Sequence, residues 1–217
     1  MTPRFDPALI PAAPDLLWER ALWENGIEHV AGIDEAGRGA WAGPVTAAAV
    51  IFPRYFIPAA QVAFIRDSKQ LSPEKRKALE PLIKEYALAW SVGFATSAEV
   101  DACGILPATR LAMTRALNLL NVVPQHLLID AMFLPETPCN QTALIKGDQR
   151  ALSIAAASIL AKTARDRWME DAAREAPAYA FERNKGYGTR AHQAALYSRG
   201  PCPAHRFSYA PVKRSLK

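Results

Sequence analysis

With 217 residues, half of them hydrophobic, 22% charged and 9% aromatic, the chain is sized for one globular domain with a full core. No apolar stretch reaches the roughly 18 residues that a membrane span needs, MTPRFDPALIPAAPDLL has no apolar core ending in a cleavage site, and Cys103, Cys139 and Cys202 lie far apart. These features predict a cytoplasmic protein with no membrane segment, secretion signal, disulfide or structural zinc. Net charge is +5, yet eight Lys and Arg and no acid fall between Arg183 and Lys217, leaving −3 on the preceding 182 residues.

In chain order, residues 1–27 form an N-terminal extension with one short amphipathic helix, Pro14 to Asn25, stopped by Gly26. HVAGIDEAG and VTAAAVIF (Val45 to Phe52) read as neighbouring strands. Ser72-Pro73-Glu74 carries an N-cap, a first-turn proline and an acid, and opens a helix running to Tyr86. LAWSVGFAT (Leu88 to Thr96) is a third strand, and Ala108 to Leu120 a helix. Pro124 to Asp130 and Thr142 to Asp148 are the fourth and fifth strands, followed by a long helix from Ala151 to Ala172. Alternating helices and strands predict an α/β fold with a mixed sheet flanked by helices. A body at residues 28–180 is followed by a mostly helical, basic segment at 181–217. That segment, interleaved with Tyr187, Tyr197, Phe207 and Tyr209, suits either a solvated surface or a phosphate backbone.

Four acids end apolar segments: Asp34 and Glu35 after HVAGI, Asp130 after HLLI, and Asp148 after ALIKG. Groups at strand ends gather along one sheet edge. Carboxylates crowded there repel, and a divalent cation relieves them, hard oxygen ligands favouring Mg²⁺ or Mn²⁺. Each acid also has an ordinary explanation. Asp148 precedes a helix and suits an N-cap, Asp130 suits a turn, and Glu35 should face away from Asp34 unless the strand ends or bends. Spacing alone leaves these alternatives open. Asp166 is a rival ligand, but 18 residues of helix would carry it about 27 Å from Asp148, so it is expected in surface ion pairs with Lys162 or Arg165.

The glycines of GIDEAGRGAWAGP (Gly32 to Pro44) allow close backbone approach to a ligand, though no GK[ST] follows to make a P-loop. This segment, together with DSKQLS (Asp67 to Ser72), LLIDAM, KGDQRALSIAAASILAKTARDRWM, NKGYGT and GPCPAHRFSYAPVK, resembles the bacterial ribonuclease HII family, block by block and in the same order. The resemblance runs from about Val30 onward. It implies a ribonuclease H-like fold and assigns Asp34, Glu35, Asp130 and Asp148 as the metal-binding, catalytic carboxylates. Gly37, Arg38 and Gly39 match the segment that contacts the ribose 2′-hydroxyl through backbone groups. Tyr187 matches a tyrosine that packs on the sugar just past a ribonucleotide, and Lys69 matches a phosphate contact. Family members often have Lys at Gln70, Val at Thr163 and Pro at Gly188, and Gly188 is expected to loosen the loop beside Tyr187.

The activity implied is hydrolysis of RNA in RNA–DNA hybrids and cleavage 5′ of single ribonucleotides in duplex DNA, by a monomer. Two metal ions about 4 Å apart would clamp the phosphate and leave 3′-hydroxyl and 5′-phosphate ends. None of the histidines (His29, His126, His192, His205) falls in an acidic block, and none is needed as a base.

Overall fold

The computed structural model describes residues 5–60 and 64–216, so Met1 to Arg4 of the N-terminal extension and Lys217 of the basic segment lie outside the described residues. The run that ends at the paired acids is strand β1 (Val30–Ala36), antiparallel to β2 (Val45–Ile51), which pairs antiparallel with β3 (Ala89–Ala95). On the other side of β1, β4 (His126–Asp130) and β5 (Asn140–Leu144) add in parallel, giving the order β3-β2-β1-β4-β5. β1 is central, so its residues are covered on both faces and read as a continuous apolar run.

Helix α1 (Leu17–Glu24), helix α2 (Pro73–Tyr86) and the long α5 (Leu152–Glu175) cover one face, while α4 (Ile105–Asn118) covers the other. The Ala- and Ser-rich first half of α5 is buried all round, as a helix without a polar face must be. Small residues let it approach β1 closely. A Cβ on Gly32 would come within 2.2 Å of the Ser153 backbone, so that glycine admits the helix. Beyond α5 the chain is mostly helical, as expected, through α6 (Phe181–Asn184), α7 (Arg190–Arg199) and α8 (Ala210–Arg214).

Three departures from the sequence reading have physical causes. A separate helix α3 (Ser97–Cys103) precedes α4, opened by a capping box between Thr96 and Glu99. The fifth strand begins earlier than expected and stops at Leu144, because Lys146 adopts a left-handed backbone (φ 55°) and turns the chain out of the sheet. Asp148 therefore sits in a 3-10 turn, Gly147–Gln149, not at the end of a strand.

The N-terminal extension completes α5. The N-cap residue Ala151 has no side-chain acceptor. Instead Glu19 of α1, itself buried, accepts from the Ser153 N–H (2.8 Å) and hydroxyl (2.6 Å), and the Asp15 carbonyl accepts from Leu152 N–H (2.8 Å). Burial pushes the Glu19 carboxyl up from 4.5 to about 7, Ser153 only partly offsetting it. A carboxyl raised on folding contributes stability below its ordinary value that is lost as pH rises through about 7. Glu19→Gln should therefore fold and show a smaller fall in Tm across that window than the parent. Parallel curves would exclude Glu19 as the titrating group. Glu19→Ala should cost about 1–3 kcal/mol in denaturant titrations, since it leaves buried Ser153 donors unsatisfied.

Candidate metal centre

Parallel pairing of β1 and β4 aligns Ile33 with Ile129, so Asp34 and Asp130 occupy the next positions on adjacent strands. The turn at Gly147–Gln149 brings in Asp148, and the Gly147 N–H donates to Asp130 Oδ1 (2.7 Å), tying turn to strand. Asp34, Asp130 and Asp148 each offer an oxygen within 4.8 Å of the other two. Asp148 is not an N-cap, because α5 begins four residues later and Glu19 occupies its first-turn donors.

Glu35 lies at the margin of this group. β1 neither ends nor breaks between Asp34 and Glu35 but runs on to Ala36. Glu35 is accordingly outside the 4.8 Å set and meets Arg38 through Oε1 (3.1 Å). It is still close enough to act on Asp34 electrostatically. Burial, then Glu35, Asp130 and Asp148, hold the Asp34 carboxyl well above the usual range. Burial, Asp130 and Asp67 push Asp148 up to about 6. Burial also raises Asp130 and Glu35, the Gly147 N–H and Arg38 respectively working against it.

Lys69 faces the cluster, with Nζ 3.4 Å from Asp148 and 3.9 Å from Asp67. Burial opposes its charge, but Asp148, Asp34 and Asp67 outweigh burial and raise its pKa. Asp67, which the sequence reading did not single out, caps the 3-10 turn Ser68–Gln70 by accepting from Lys69 N–H (2.9 Å). Its signal was present as the first residue of the Asp-Ser-Lys block. One exposed lysine and Arg38 do not neutralise these acids. Asp34 Oδ2 and Glu35 Oε2 remain buried without a hydrogen-bond partner, so the donor set fits a hard divalent cation.

The glycine-rich loop beside β1 is held by two buried arginines. Arg165 of α5 donates to the carbonyls of Pro44 (2.9 Å), Ala42 (2.9 Å) and Lys185 (2.8 Å). Arg206 donates to those of Gly43 (3.0 Å), Arg38 (3.0 Å) and Ala40 (2.8 Å). Arg165 thus does not pair with Asp166. That acid is buried, not at the surface, and bonds Lys162 and Arg76, whose guanidinium also holds the Ser68 and Leu71 carbonyls. With the loop carbonyls drawn inward, the N–H groups of Arg38 and Gly39 have no acceptor among the described residues. A Cβ at Gly37 (φ 95°) would meet Arg165 at 2.0 Å, whereas Gly39 borders open space.

Tyr187 is partly exposed, with Arg165 5.4 Å and Lys162 5.7 Å from its ring centre. Gly188, expected to loosen this loop, stands against Trp41. A Cβ there would lie 2.1 Å from the Trp41 ring, so the glycine lets indole and loop pack closely.

These charges make stability depend on pH and metal. Asp148, raised from 3.8 to about 6, contributes stability below its ordinary value that is lost as pH rises through about 6. Thermal melts should show a Mg²⁺-dependent gain in Tm that is small at low pH and grows above that value. An equal gain throughout would contradict the assignment. Asp34→Asn keeps the acceptor for Glu35 N–H and removes one charge. It should raise the metal-free Tm by about 2–4 °C and remove most of the gain from added Mn²⁺.

The chain matches the family model for Ribonuclease HII over residues 31–212. It is 50% identical over 201 residues to Ribonuclease HII of Geobacillus kaustophilus, covering 92% of this chain and 75% of the relative. With the Roseiflexus castenholzii Ribonuclease HII it shares 51% over 200 residues, covering 92% and 89%. The ribonuclease H2 of Pyrococcus horikoshii superposes with a TM-score of 0.73 at 24% identity, over 86% of this chain and 96% of that one. Bst-RNase HIII, solved in complex with Mn²⁺, gives 0.64 at 22%, over 87% and 69%. The mixed sheet with its flanking helices is thus the ribonuclease H-like fold expected from the sequence. On sequence and fold together, the chain belongs to the ribonuclease HII family and is a metal-dependent ribonuclease H of type 2.

Proposed function

We propose that this ribonuclease H hydrolyses the RNA strand of RNA–DNA hybrids and also cuts 5′ of single ribonucleotides embedded in duplex DNA, leaving 3′-hydroxyl and 5′-phosphate ends. The observation that carries the reading is the convergence of Asp34, Asp130 and Asp148, with Glu35 alongside, in a buried group whose oxygens are short of partners. These four acids would hold Mg²⁺ or Mn²⁺. When bound, the metal supplies an activated water and stabilises the departing 3′-oxygen.

The remaining roles fall to the protein's own groups. Lys69, exposed along its side chain and poised over Asp148, meets a phosphate of the cut strand. The free N–H groups of Arg38 and Gly39, on the backbone that begins at Gly37, bond the 2′-hydroxyl, the group that separates RNA from DNA. A deoxyribose there would leave those donors unpaired. Tyr187, stiffened by Arg165 and Lys162, packs on the sugar that follows the ribonucleotide. In this reading residues 28–180 are the catalytic body, 181–217 the substrate-binding segment, and the enzyme works as a cytoplasmic monomer. No helix among the described residues is long and apolar enough to cross a membrane.

The test is a labelled DNA duplex carrying one ribonucleotide, incubated with and without Mg²⁺, with the cut mapped at nucleotide resolution. Metal-dependent cleavage on the 5′ side is the expected result; cutting elsewhere, or equal cutting in EDTA, would refute it. Asp130→Asn should fold and bind the duplex but lower kcat by about 10³-fold or more. Normal turnover would remove Asp130 from the catalytic set.

A further inference from the structure

Away from the acids, a line of hydrogen bonds runs from residue 202 to the backbone of Tyr187. His192, in the first turn of α7, and His205 are both fully buried, and their Nε2 atoms are 3.0 Å apart. A neutral imidazole has one donor and one acceptor nitrogen, and here the backbone at each end decides which is which. At one end the Cys202 N–H, a donor only, meets His205 Nδ1 at 3.0 Å. At the other, the Tyr187 carbonyl, an acceptor only, lies 2.9 Å from His192 Nδ1.

Only one polarity satisfies both ends. His205 accepts at Nδ1 and donates from Nε2, while His192 accepts at Nε2 and donates from Nδ1 to Tyr187. The reverse arrangement would set the His192 Nδ1 lone pair against the Tyr187 oxygen and strand the Cys202 N–H. It would turn a His205 Nδ1–H toward the Cys202 carbonyl and sulfur, both 3.2 Å away, and leave the Cys202 N–H without its acceptor. Burial keeps both rings neutral, lowering His192 and bringing His205 down to about 4.

The relay ends on the loop that carries the tyrosine. The Tyr187 carbonyl also accepts from Thr189 N–H (2.8 Å), and the Tyr187 N–H donates to Asn184 (2.9 Å). The His192 ring leans on Trp41, 5.8 Å between centroids, and Gly188 packs on the same indole. Trp41 belongs to the glycine-rich loop and donates its N–H to Gly186 (2.8 Å). The bond from the His192 ring therefore joins the Thr189 and Asn184 bonds in fixing where Tyr187 stands relative to the loop that would read the 2′-hydroxyl.

We propose that His192 and His205 are positioning residues, a buried relay that holds Tyr187 at the junction between a ribonucleotide and the deoxyribose after it, and so sets the preference for single embedded ribonucleotides over uniform hybrids. This rests on the sugar-packing role given to Tyr187 above. Packing alone would need only the volume of the imidazoles; the relay needs the N–H at His192 Nδ1.

The experiment compares kcat/KM on a DNA duplex with one ribonucleotide and on a uniform RNA–DNA hybrid, for the parent, Tyr187→Ala, His192→Leu and His192→Asn. The asparagine amide nitrogen falls near the place of Nδ1 and keeps the donor; leucine keeps only bulk. Tyr187→Ala and His192→Leu should each lower the ratio of the two rates about tenfold, His192→Leu leaving the uniform hybrid cut within about threefold of the parent, while His192→Asn recovers most of the ratio. Equal losses on both substrates for His192→Leu, or asparagine no better than leucine, would overturn the relay. If Tyr187→Ala leaves the ratio unchanged, the role given to Tyr187 fails, and the junction preference assigned to the relay falls with it. Should the His192 variants not fold, ¹⁵N NMR of the intact protein decides. Protons on His192 Nδ1 and His205 Nε2, with both rings titrating below the ordinary histidine value, support the relay. The opposite tautomers, or titration at the ordinary histidine value, overturn it.

Discussion

Carboxylates brought together out of water repel, and this molecule is organised around imposing that repulsion. Asp34, Asp130 and Asp148 come from three separate stretches of chain and converge within 4.8 Å. Two of the three are almost fully buried. Nothing local favours the arrangement, since each acid would be better solvated elsewhere. The sheet supplies the compulsion. β1 and β4 are adjacent parallel strands at its centre, and the Gly147 N–H bonded to Asp130 draws the third acid's turn against them. The resulting site is electrostatically unsatisfied, with Asp34 Oδ2 and Glu35 Oε2 lacking partners, a condition that the proposed divalent cation would relieve.

The supports around the acids share a theme: guanidinium donors bound to backbone carbonyls, with an opposite charge alongside only at Arg76, which also pairs with Asp166. Arg76 takes the Ser68 and Leu71 carbonyls and presents the turn that bears Lys69. Arg165 and Arg206 take six more around the glycine-rich loop and Lys185. A guanidinium suits this work because its donors are arranged in a fixed plane, which lysine does not offer. The N-terminal extension belongs to the same scheme, its Glu19 serving donors at the start of α5, whose upstream turn bears Asp148.

Much of this was legible in the letters. The apolar runs that stop on acids placed β1 and β4 correctly, and a central sheet position explains why those runs do not alternate. The capping box at Thr96 and Glu99 is equally readable in the letters and marks the helix that precedes α4. Other features had no local signature. Leu-Ile-Lys continues an apolar pattern smoothly, and only the tertiary bond from Gly147 to Asp130 explains the left-handed turn at Lys146. Glu19, Asp166, Arg165 and Arg206 are residue types normally found exposed, so their burial depends on partners 90 to 168 positions away. His192 and His205, set aside because no acid adjoins them, are joined only through the fold.

Arg165 and Arg206 make no ion pair among the described residues, so two positive charges lie under the glycine-rich loop, held mainly by carbonyl dipoles and, at Arg206, by the Tyr209 hydroxyl. Dipoles orient and solvate a charge but do not cancel it. Their charge lies directly beneath that loop, whose carbonyls they hold. In the function proposed above, a polyanionic backbone at that loop would meet charge that the polypeptide leaves without an acid partner. Attraction so generated originates below the solvent layer, where dissolved ions screen it less than they would an exposed lysine.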